Sequence, residues 1–190
     1  MGMNPTRPSA PPATYDDLLA LPDHVVGELV AGELFASPRP APRHALATSV
    51  LGGVLGPPYH RGDGGPGGWW ILFEPELHLG SDVLVPDLAG WRRSRMPVIP
   101  ETAYFTLAPD WICEVLSPGT ARLDRQKKLG AYAREGVGHA WLLDPLQRTL
   151  EVLQLEHGQW LILAVHAGDD EVRTAPFDET VLSLSILWAD

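Results

Sequence analysis

The sequence contains one cysteine, Cys113, among 190 residues. A single thiol excludes an internal disulfide framework and any zinc site built from cysteines. A reducing cytoplasm is therefore the expected compartment. No apolar run approaches the roughly 18 residues of a membrane-spanning helix, so we expect no membrane span. The start of the chain also lacks the apolar core of a secretory signal.

The common catalytic signatures are absent as well. The chain has no P-loop, no glycine-rich dinucleotide fingerprint, no zincin helix motif and no nucleophile elbow. None of its seven histidines are spaced as i, i+4 or as His-x-His, so a histidine metal site is not expected. Cys113 lies inside an apolar run, which predicts a small core residue rather than a nucleophile.

Basic residues are scarce, with 14 Lys and Arg against 24 Asp and Glu and a net charge of −10. Such a surface on average repels nucleic acid. The charge is unevenly distributed, because segment 92–134 holds eight basic and four acidic residues and so carries +4. The rest of the chain is left at −14. A local basic patch is compatible with a phosphate-bearing partner.

Glycine and proline are abundant, at 19 residues each. This excess argues against an all-helical bundle and favours a loop-rich fold with strands. The length predicts one domain. We assign that domain to residues 14–190 and expect a Pro-rich disordered tail over residues 1–13.

Hydrophobic periodicity predicts alternating strands and helices. A strand at 111–116, a helix at 121–135 with Thr120 as its N-cap, and a strand at 139–143 form a βαβ unit with parallel strands. The fold class is therefore α/β (α+β), a mixed and mostly central sheet flanked by helices. The other predicted elements are a short helix from Thr14 to Pro22, a hairpin at 25–36, a helix at 42–55, a mobile loop at 56–68, and strands at 69–79, 82–91, 149–155, 160–166 and 180–186.

Two acids stand at unusual places in apolar runs. Asp87 closes the run Val83-Leu-Val-Pro-Asp, and Glu114 lies within a predicted buried strand. A buried carboxylate is costly unless a cation pairs with it. Two such acids on neighbouring strands would form a hard oxygen site suited to Mg²⁺ or Mn²⁺.

A polar stripe follows on the predicted crossover helix. Asp124, Lys128 and Tyr132 are four residues apart and so share one face, which can be turned towards Glu114. Lys128 could then neutralise the acids or position a water molecule. The residues alone leave other interpretations open: Asp124 and Lys128 as an exposed ion pair, Asp87 as a turn residue, and Glu114 as a strand-end acid paired with an arginine.

Several motifs in order carry a resemblance to a known family. They are Glu28-Leu-Val-Ala-Gly-Glu-Leu, Val85-Pro-Asp87, the block from Pro109 to Pro118, and Asp124-Arg-x-x-Lys128. In that order they resemble the bacterial restriction endonuclease-like (Uma-type) family of the PD-(D/E)XK nuclease superfamily. The resemblance runs from about Thr14 to the C-terminus.

The resemblance implies a restriction endonuclease-like mixed β-sheet flanked by helices. It further implies a metal-dependent endonuclease that hydrolyses DNA phosphodiester bonds, an Mg-dependent endodeoxyribonuclease using Mg²⁺ or Mn²⁺. Leu116 occupies the motif's usual lysine position, two residues after the glutamate. The implied site consists of the metal ligands Asp87 and Glu114, the relocated lysine Lys128, the upstream glutamate Glu28 and, as a weaker candidate, His44.

DNA is the partner that this interpretation expects. Its backbone would lie on the basic segment at Arg92, Arg93 and Arg95 with Arg122 and Arg125, and a homodimer would suit double-strand cleavage. One alternative is a non-catalytic binding or regulatory protein on a nuclease-like fold, favoured by the −14 charge and the lack of a recognition helix. Another is a homo-oligomeric interaction protein that uses its apolar C-terminal strands, with Trp160 and Trp188 as anchors.

Overall fold

A computed structural model of the chain describes residues 11–188. Its main sheet has six strands in the order β10-β9-β8-β7-β6-β3, antiparallel except for the parallel pair β7 and β8. The sequence-based α/β class with a mixed central sheet is therefore confirmed. The six strands are β3 (Trp69–Phe73), β6 (Leu88–Arg92), β7 (Trp111–Val115), β8 (His139–Asp144), β9 (Thr149–Glu156) and β10 (Gln159–Ala167).

A small sheet of four strands, in the order β2-β1-β5-β4, lies beside the main one. The predicted hairpin at 25–36 forms its β1 and β2, with Ala31 and Gly32 at positive φ in the turn. Two further strands, joined at Gly80 and Ser81, complete it. The four strands are β1 (Val25–Val30), β2 (Glu33–Pro38), β4 (Leu77–Leu79) and β5 (Asp82–Leu84).

The prediction of two long strands at 69–79 and 82–91 was wrong. Each segment divides between the two sheets, with β3 and β6 in the main sheet and β4 and β5 in the small one. Pro75 and Pro86 lie at the two breaks, and proline cannot donate to a strand ladder. The break at Pro86 leaves Asp87 immediately before β6.

The N-terminal half contains two helices and one unpredicted turn. Helix α1 (Tyr15–Leu19) carries the expected capping box between Thr14 and Asp17. Helix α2 (Pro42–Leu55) matches its predicted bounds. Residues 56–68 are not simply loop, because a π-helical turn (Gly56–Arg61) extends α2. Buried Tyr59 anchors that turn: its hydroxyl oxygen lies 3.1 Å from both Thr180 N and Thr180 Oγ.

The connection between β7 and β8 is helical, as predicted, but not uniformly so. It consists of α3 (Ala121–Leu123), a π-helical segment (Asp124–Lys128) and α4 (Leu129–Arg134), together the crossover helix. Thr120 is its N-cap residue, as predicted, but the Thr120 side chain makes no capping hydrogen bond. Ser117 Oγ instead accepts a hydrogen bond from the Thr120 N–H at 3.2 Å, one turn earlier. Gly136, at φ +75°, terminates the helix as the sequence predicts.

The C-terminal segment forms no strand of the main sheet, contrary to the prediction at 180–186. It contains β11 (Glu171–Val172) paired with β12 (Leu182–Ser183), followed by a 3₁₀-helix (Leu184–Leu187). Leu184 and Leu187 are three residues apart and fully buried. Burial of these two leucines on the sheet face covered by α2 accounts for the helical turn.

The strand alternation predicted for β7 is confirmed. Trp111, Cys113 and Val115 face one core, towards α2, whereas Ile112 and Leu116 face the other, towards the crossover helix. The N-terminal tail predicted over 1–13 lies mostly outside the described residues. Ala13 is an exception, since its N–H donates to the Gly32 carbonyl oxygen at 2.9 Å. Between residues 11 and 188 no helix is long and apolar enough to cross a membrane; a cytoplasmic location stays a prediction.

Phe177 is central to the aromatic cluster under the main sheet. Its ring centroid lies 4.6 Å from that of Tyr59, 4.9 Å from those of Trp69 and Trp111, and 5.6 Å from that of Trp141. We expect Phe177→Ala to lower the free energy of unfolding by about 3–5 kcal/mol, because it leaves a cavity among rings that cannot close it. Phe73→Ala is the comparison, since Phe73 is 52% exposed although its ring packs against Gly52 of α2, and should cost less, about 1–2 kcal/mol. If urea denaturation shows equal losses of unfolding free energy for the two variants, Phe177 is not the centre of the aromatic cluster.

Candidate active site

Strand pairing brings Asp87 to Glu114. Leu88 of β6 pairs with Cys113 of β7 in an antiparallel register, which places the residue before β6 beside the end of β7. Asp87 Oδ2 accepts a hydrogen bond from the Val115 N–H at 2.7 Å. The two acids that the sequence singles out therefore lie side by side, Asp87 just before β6 and Glu114 near the end of the adjacent β7.

Glu114 is almost completely buried, at 2% exposure. The Tyr132 hydroxyl donates to its Oε1 at 2.7 Å, and Lys128 Nζ lies 2.9 Å from Oε1 and 3.0 Å from Oε2. The polar stripe predicted on the crossover helix does face the sheet. Glu114 is paired with a lysine, so the reading that pairs it with an arginine is wrong.

Lys128 contacts three carboxylates from three parts of the chain. Its Nζ lies 2.8 Å from Glu28 Oε1, 2.9 Å from Glu114 Oε1 and 3.6 Å from Asp124 Oδ1. Its side chain is only 3% exposed, so the alternative of an exposed ion pair with Asp124 is wrong. The fourth sequence candidate, Glu28, enters the cluster from β1 and also accepts the Val85 N–H at 2.8 Å.

The cluster holds more negative than positive charge, because one ammonium faces three carboxylates. Burial, reinforced by Asp124, Asp87 and Glu28, raises the pKa of Glu114 well above its usual range, although Lys128 opposes the shift. Burial raises the pKa of Asp124 as well. Burial alone would lower the pKa of Lys128, but Glu114 and Glu28 raise it well above its ordinary value. Lys128 is therefore charged at neutral pH, and a cation bound beside the acids would favour their ionised forms.

His44 contacts the second acid. It lies in the first turn of α2, and its Nε2 is 2.5 Å from Asp87 Oδ1. The Val115 N–H holds the other oxygen of the same carboxylate. The Asp87 carboxylate is thus oriented from both sides.

These side chains line one open cavity of about 370 Å³, the acid cavity. Arg39 is also in its wall, and its guanidinium donates to the Asp23 carbonyl oxygen at 3.3 Å. Sequence reasoning did not assign Asp124 or Arg39 to the site. The i, i+4 spacing to Lys128 already marked Asp124, whereas Arg39 stands in the Pro-rich segment before α2, where no pattern distinguishes it.

The first part of the basic segment predicted to hold DNA, Arg92 to Arg95, lies away from the acids. Asp87 precedes β6 and Arg92 ends it, so they are separated by about 17 Å along the strand. The guanidinium of Arg92 lies over the Trp69 ring, and that of Arg93 lies over Trp70 and donates to the His60 carbonyl oxygen at 2.7 Å. The other three arginines of the predicted DNA-binding set also have partners within the protein. Arg95 pairs with Asp110, Arg125 pairs with Glu151, and Arg122 donates a hydrogen bond to Gln126.

The acids fit a hard divalent ion by their chemistry, with one restriction. Asp87 and Glu114 offer carboxylate oxygens to the same cavity, and each oxygen retains lone-pair capacity beyond the bonds described. Across residues 11–188, no three His, Cys, Asp or Glu side chains converge closely enough to hold a metal by themselves. An ion between these two acids would therefore need ligands from the main chain, water or a bound phosphate.

Comparison with known proteins identifies similar chains. The family model described as "Uma2: Putative restriction endonuclease" matches residues 13–185. A solved structure from Anabaena variabilis ATCC 29413, titled "a putative nuclease belonging to DUF820", superposes with a TM-score of 0.74 at 25% sequence identity. The match covers 93% of this chain and 97% of that one. No curated protein gives a significant match.

Adjacent lysines provide a test of the cluster. Lys128→Met should lower the free energy of unfolding by about 3–5 kcal/mol, because it leaves buried carboxylates without their cation. Lys127→Met is the matched control. Lys127 is partly exposed and pairs with Glu33 at 2.7 Å on the surface, so its loss should cost about 1 kcal/mol or less. Similar denaturation midpoints for the two variants would argue against a buried charge cluster.

Proposed function

The chain belongs to the Uma2 family, described as "Putative restriction endonuclease". From this we propose that it hydrolyses DNA phosphodiester bonds in the acid cavity with a divalent metal ion. The convergence of four side chains from four elements carries this proposal. Glu28 comes from β1, Asp87 precedes β6, Glu114 comes from β7, and Lys128 comes from the crossover helix. Burial of so many charges together contributes little net stability, which favours a chemical role for the cluster.

Asp87 and Glu114 would hold Mg²⁺ or Mn²⁺. When bound, such an ion polarises a phosphate oxygen and lowers the pKa of a coordinated water. Hydrogen bonds from His44 and the Val115 N–H keep the Asp87 carboxylate aimed into the cavity, so His44 acts as a positioning residue. The Tyr132 hydroxyl does the same for Glu114.

Lys128 would serve the phosphate directly. Its ammonium lies in the wall of the acid cavity and is kept protonated by Glu28 and Glu114. A fixed positive charge there orients the attacking water and offsets the negative charge that develops on phosphorus. Glu28 and Asp124 hold the ammonium in place, which makes them positioning residues.

The N-terminus of α2 would receive the flanking phosphate groups. Ala41, its N-cap, offers no side-chain hydrogen bond, and no acid occupies the first turn of this 14-residue helix. Helix N-termini attract phosphate through free amide groups and the helix dipole. Arg39 precedes this turn and lines the acid cavity, and Arg43 lies in the turn and lines the neighbouring pocket, so this segment adds two arginines to Lys128.

A non-catalytic binding protein remains the alternative function. The observation that favours it is the pairing of Arg92, Arg93 and Arg95 with aromatic rings, carbonyl groups and Asp110, which removes the expected DNA track. Cleavage distinguishes the two, since a non-catalytic binding or regulatory protein would not turn over DNA.

A homodimer would supply the two catalytic centres that double-strand cleavage needs, and β10 offers the surface. This strand is at the edge of the main sheet, and its nine residues contain no Asp, Glu, Lys or Arg. Natural edge strands usually carry charges that prevent pairing. Since the chain is strongly acidic, an uncharged strand is where a second copy meets the least repulsion, in a two-fold antiparallel pair. Its exposed large side chains are Leu161, Ile162, Leu163 and Val165.

Metal binding tests the catalytic assignment. We expect Mn²⁺ to bind the wild type in calorimetry, and Mg²⁺-dependent cleavage of a mixed DNA substrate to accompany it. Asp87→Asn should weaken both by more than about 100-fold, because even residues that merely support metal ligands contribute 10–100-fold.

Asp63→Asn is the matched control, because Asp63 is exposed and pairs only with Arg61 at 2.8 Å. It should leave metal binding and cleavage unchanged. The proposal fails if the wild type neither binds Mn²⁺ nor cleaves DNA, or if Asp87→Asn retains full activity.

Oligomeric state tests the role of β10. The wild type should elute as a dimer in light-scattering chromatography, and Leu163→Lys should elute as a monomer, because it places a charge at the middle of the uncharged strand, where β10 carries a β-bulge. Val98→Lys, at a side chain that is 79% exposed and distant in sequence, should remain dimeric. A monomeric wild type would refute the dimer, and a dimeric Leu163→Lys would exclude β10 as the contact.

A further inference from the structure

A second cavity of about 390 Å³ adjoins the acid cavity, and we name it the flanking pocket. Three residues, Ala41, His44 and Ser117, line both cavities. They belong to the start of α2 and to the end of β7, so one continuous wall leads from the acids into the flanking pocket. A ligand lying over Asp87 therefore extends directly into it.

The flanking pocket is mostly apolar. Its walls come from the start of α2, the turn after β7 and the turn between β8 and β9. The apolar side chains in these walls are Pro42, Leu116, Pro118, Pro145 and Leu146. Flat proline and leucine surfaces match the face of a heteroaromatic ring, and the volume lies within the range of small-ligand sites.

Leu146 is held at the rim although it is 54% exposed. Asp144 Oδ1 accepts the N–H groups of both Leu146 and Gln147 at 2.9 Å, which fixes the turn that carries it. Because this turn is fixed, the side chain of Leu146 stays at the rim of the flanking pocket, where it can contact a ligand.

Arg43 supplies a cation beside these apolar walls. It lines the flanking pocket, is exposed, and makes no ion pair or hydrogen bond with the residues that the structure describes. An unpaired guanidinium next to an apolar slot is complementary to a nucleotide, which has a phosphate at one end and a flat base at the other.

We propose that the flanking pocket takes the unpaired base of the nucleotide next to the scissile phosphate, while Arg43 binds the phosphate of that nucleotide. The inference rests on the proposed nuclease function and narrows its substrate. A base inside a duplex is stacked and paired, so it must leave the stack to enter. The pocket therefore selects single-stranded or locally melted DNA. Few polar side chains line it, and we expect little preference for one base over another.

Fluorescence of 2-aminopurine tests this inference without cleavage. A single-stranded deoxyoligonucleotide containing the probe and its duplex form are titrated into the full-length protein, in EDTA and again with Ca²⁺. We expect the probe signal to change on binding and the single strand to bind at least about 10-fold more tightly than the duplex. Leu146→Glu should weaken the single-strand complex by about 10-fold or more, because it places a carboxylate at the rim.

Leu19→Glu is the matched control, since Leu19 is a 62% exposed leucine on α1. It should bind the oligonucleotide like the wild type. Arg43→Gln should weaken binding and reduce its dependence on salt, as expected for a lost phosphate contact. Thermal melting of each variant verifies that the fold is kept.

The outcomes separate this inference from the proposed function. Loss of oligonucleotide binding in Leu146→Glu with normal Mn²⁺ binding supports the flanking pocket. Equal binding of single strand and duplex, no effect of Leu146→Glu, or no binding by the wild type in either buffer overturns it, even if the protein cleaves DNA. If the protein neither binds Mn²⁺ nor cleaves DNA, but binds the oligonucleotide in a way that depends on Leu146, the flanking pocket is supported as a base-binding site and the nuclease function is rejected.

Discussion

The ion pairs of Lys128 are the interaction on which the rest of the site depends. One ammonium connects Glu28 of the small sheet, Glu114 of the main sheet and Asp124 of the crossover helix. These three elements would otherwise present like charges to one another. A buried charge network of this kind contributes little net stability compared with an apolar core. Its value is chemical, since it keeps a lysine protonated and a set of carboxylates poised beside a solvent-filled cavity.

Local sequence patterns predicted much of the fold and most of the site. The alternation through Trp111, Cys113 and Val115 placed Glu114 on the opposite face, and four-residue spacing placed Lys128 and Tyr132 towards it. Both statements need only the geometry of a strand and a helix. The βαβ unit then fixes which strand the helix covers, so the contact follows.

The failures occurred where distant residues decide local structure. The composition of segment 56–68 predicts a loop. Tyr59 is nevertheless buried, because its ring packs against Phe177 and its hydroxyl is hydrogen-bonded to Thr180, both more than 115 positions away. The excess of basic residues over 92–134 suggested a DNA-binding surface, but a count of charges does not show which arginines already have partners within the protein. Trp69 and Trp70, on β3, engage the arginines at the end of the sheet away from the acids. The remaining cations beside the cavity come from a short proline-rich stretch that no charge pattern reveals.

The π-helical segment Asp124–Lys128 has a consequence for how this chain tolerates change in length. A π-helical turn accommodates one residue more than an α-helical turn, so a deletion inside this segment would convert it to ordinary α-helix. The separation of Asp124 and Lys128 would then fall from four residues to three, although no charged residue had been removed. Gln126 is exposed and its identity is of little importance, but its presence as a spacer is essential. A substitution at Gln126 should therefore be tolerated more readily than a gap there, whereas Asp124 and Lys128, in the same segment, are fixed by their ion pairs.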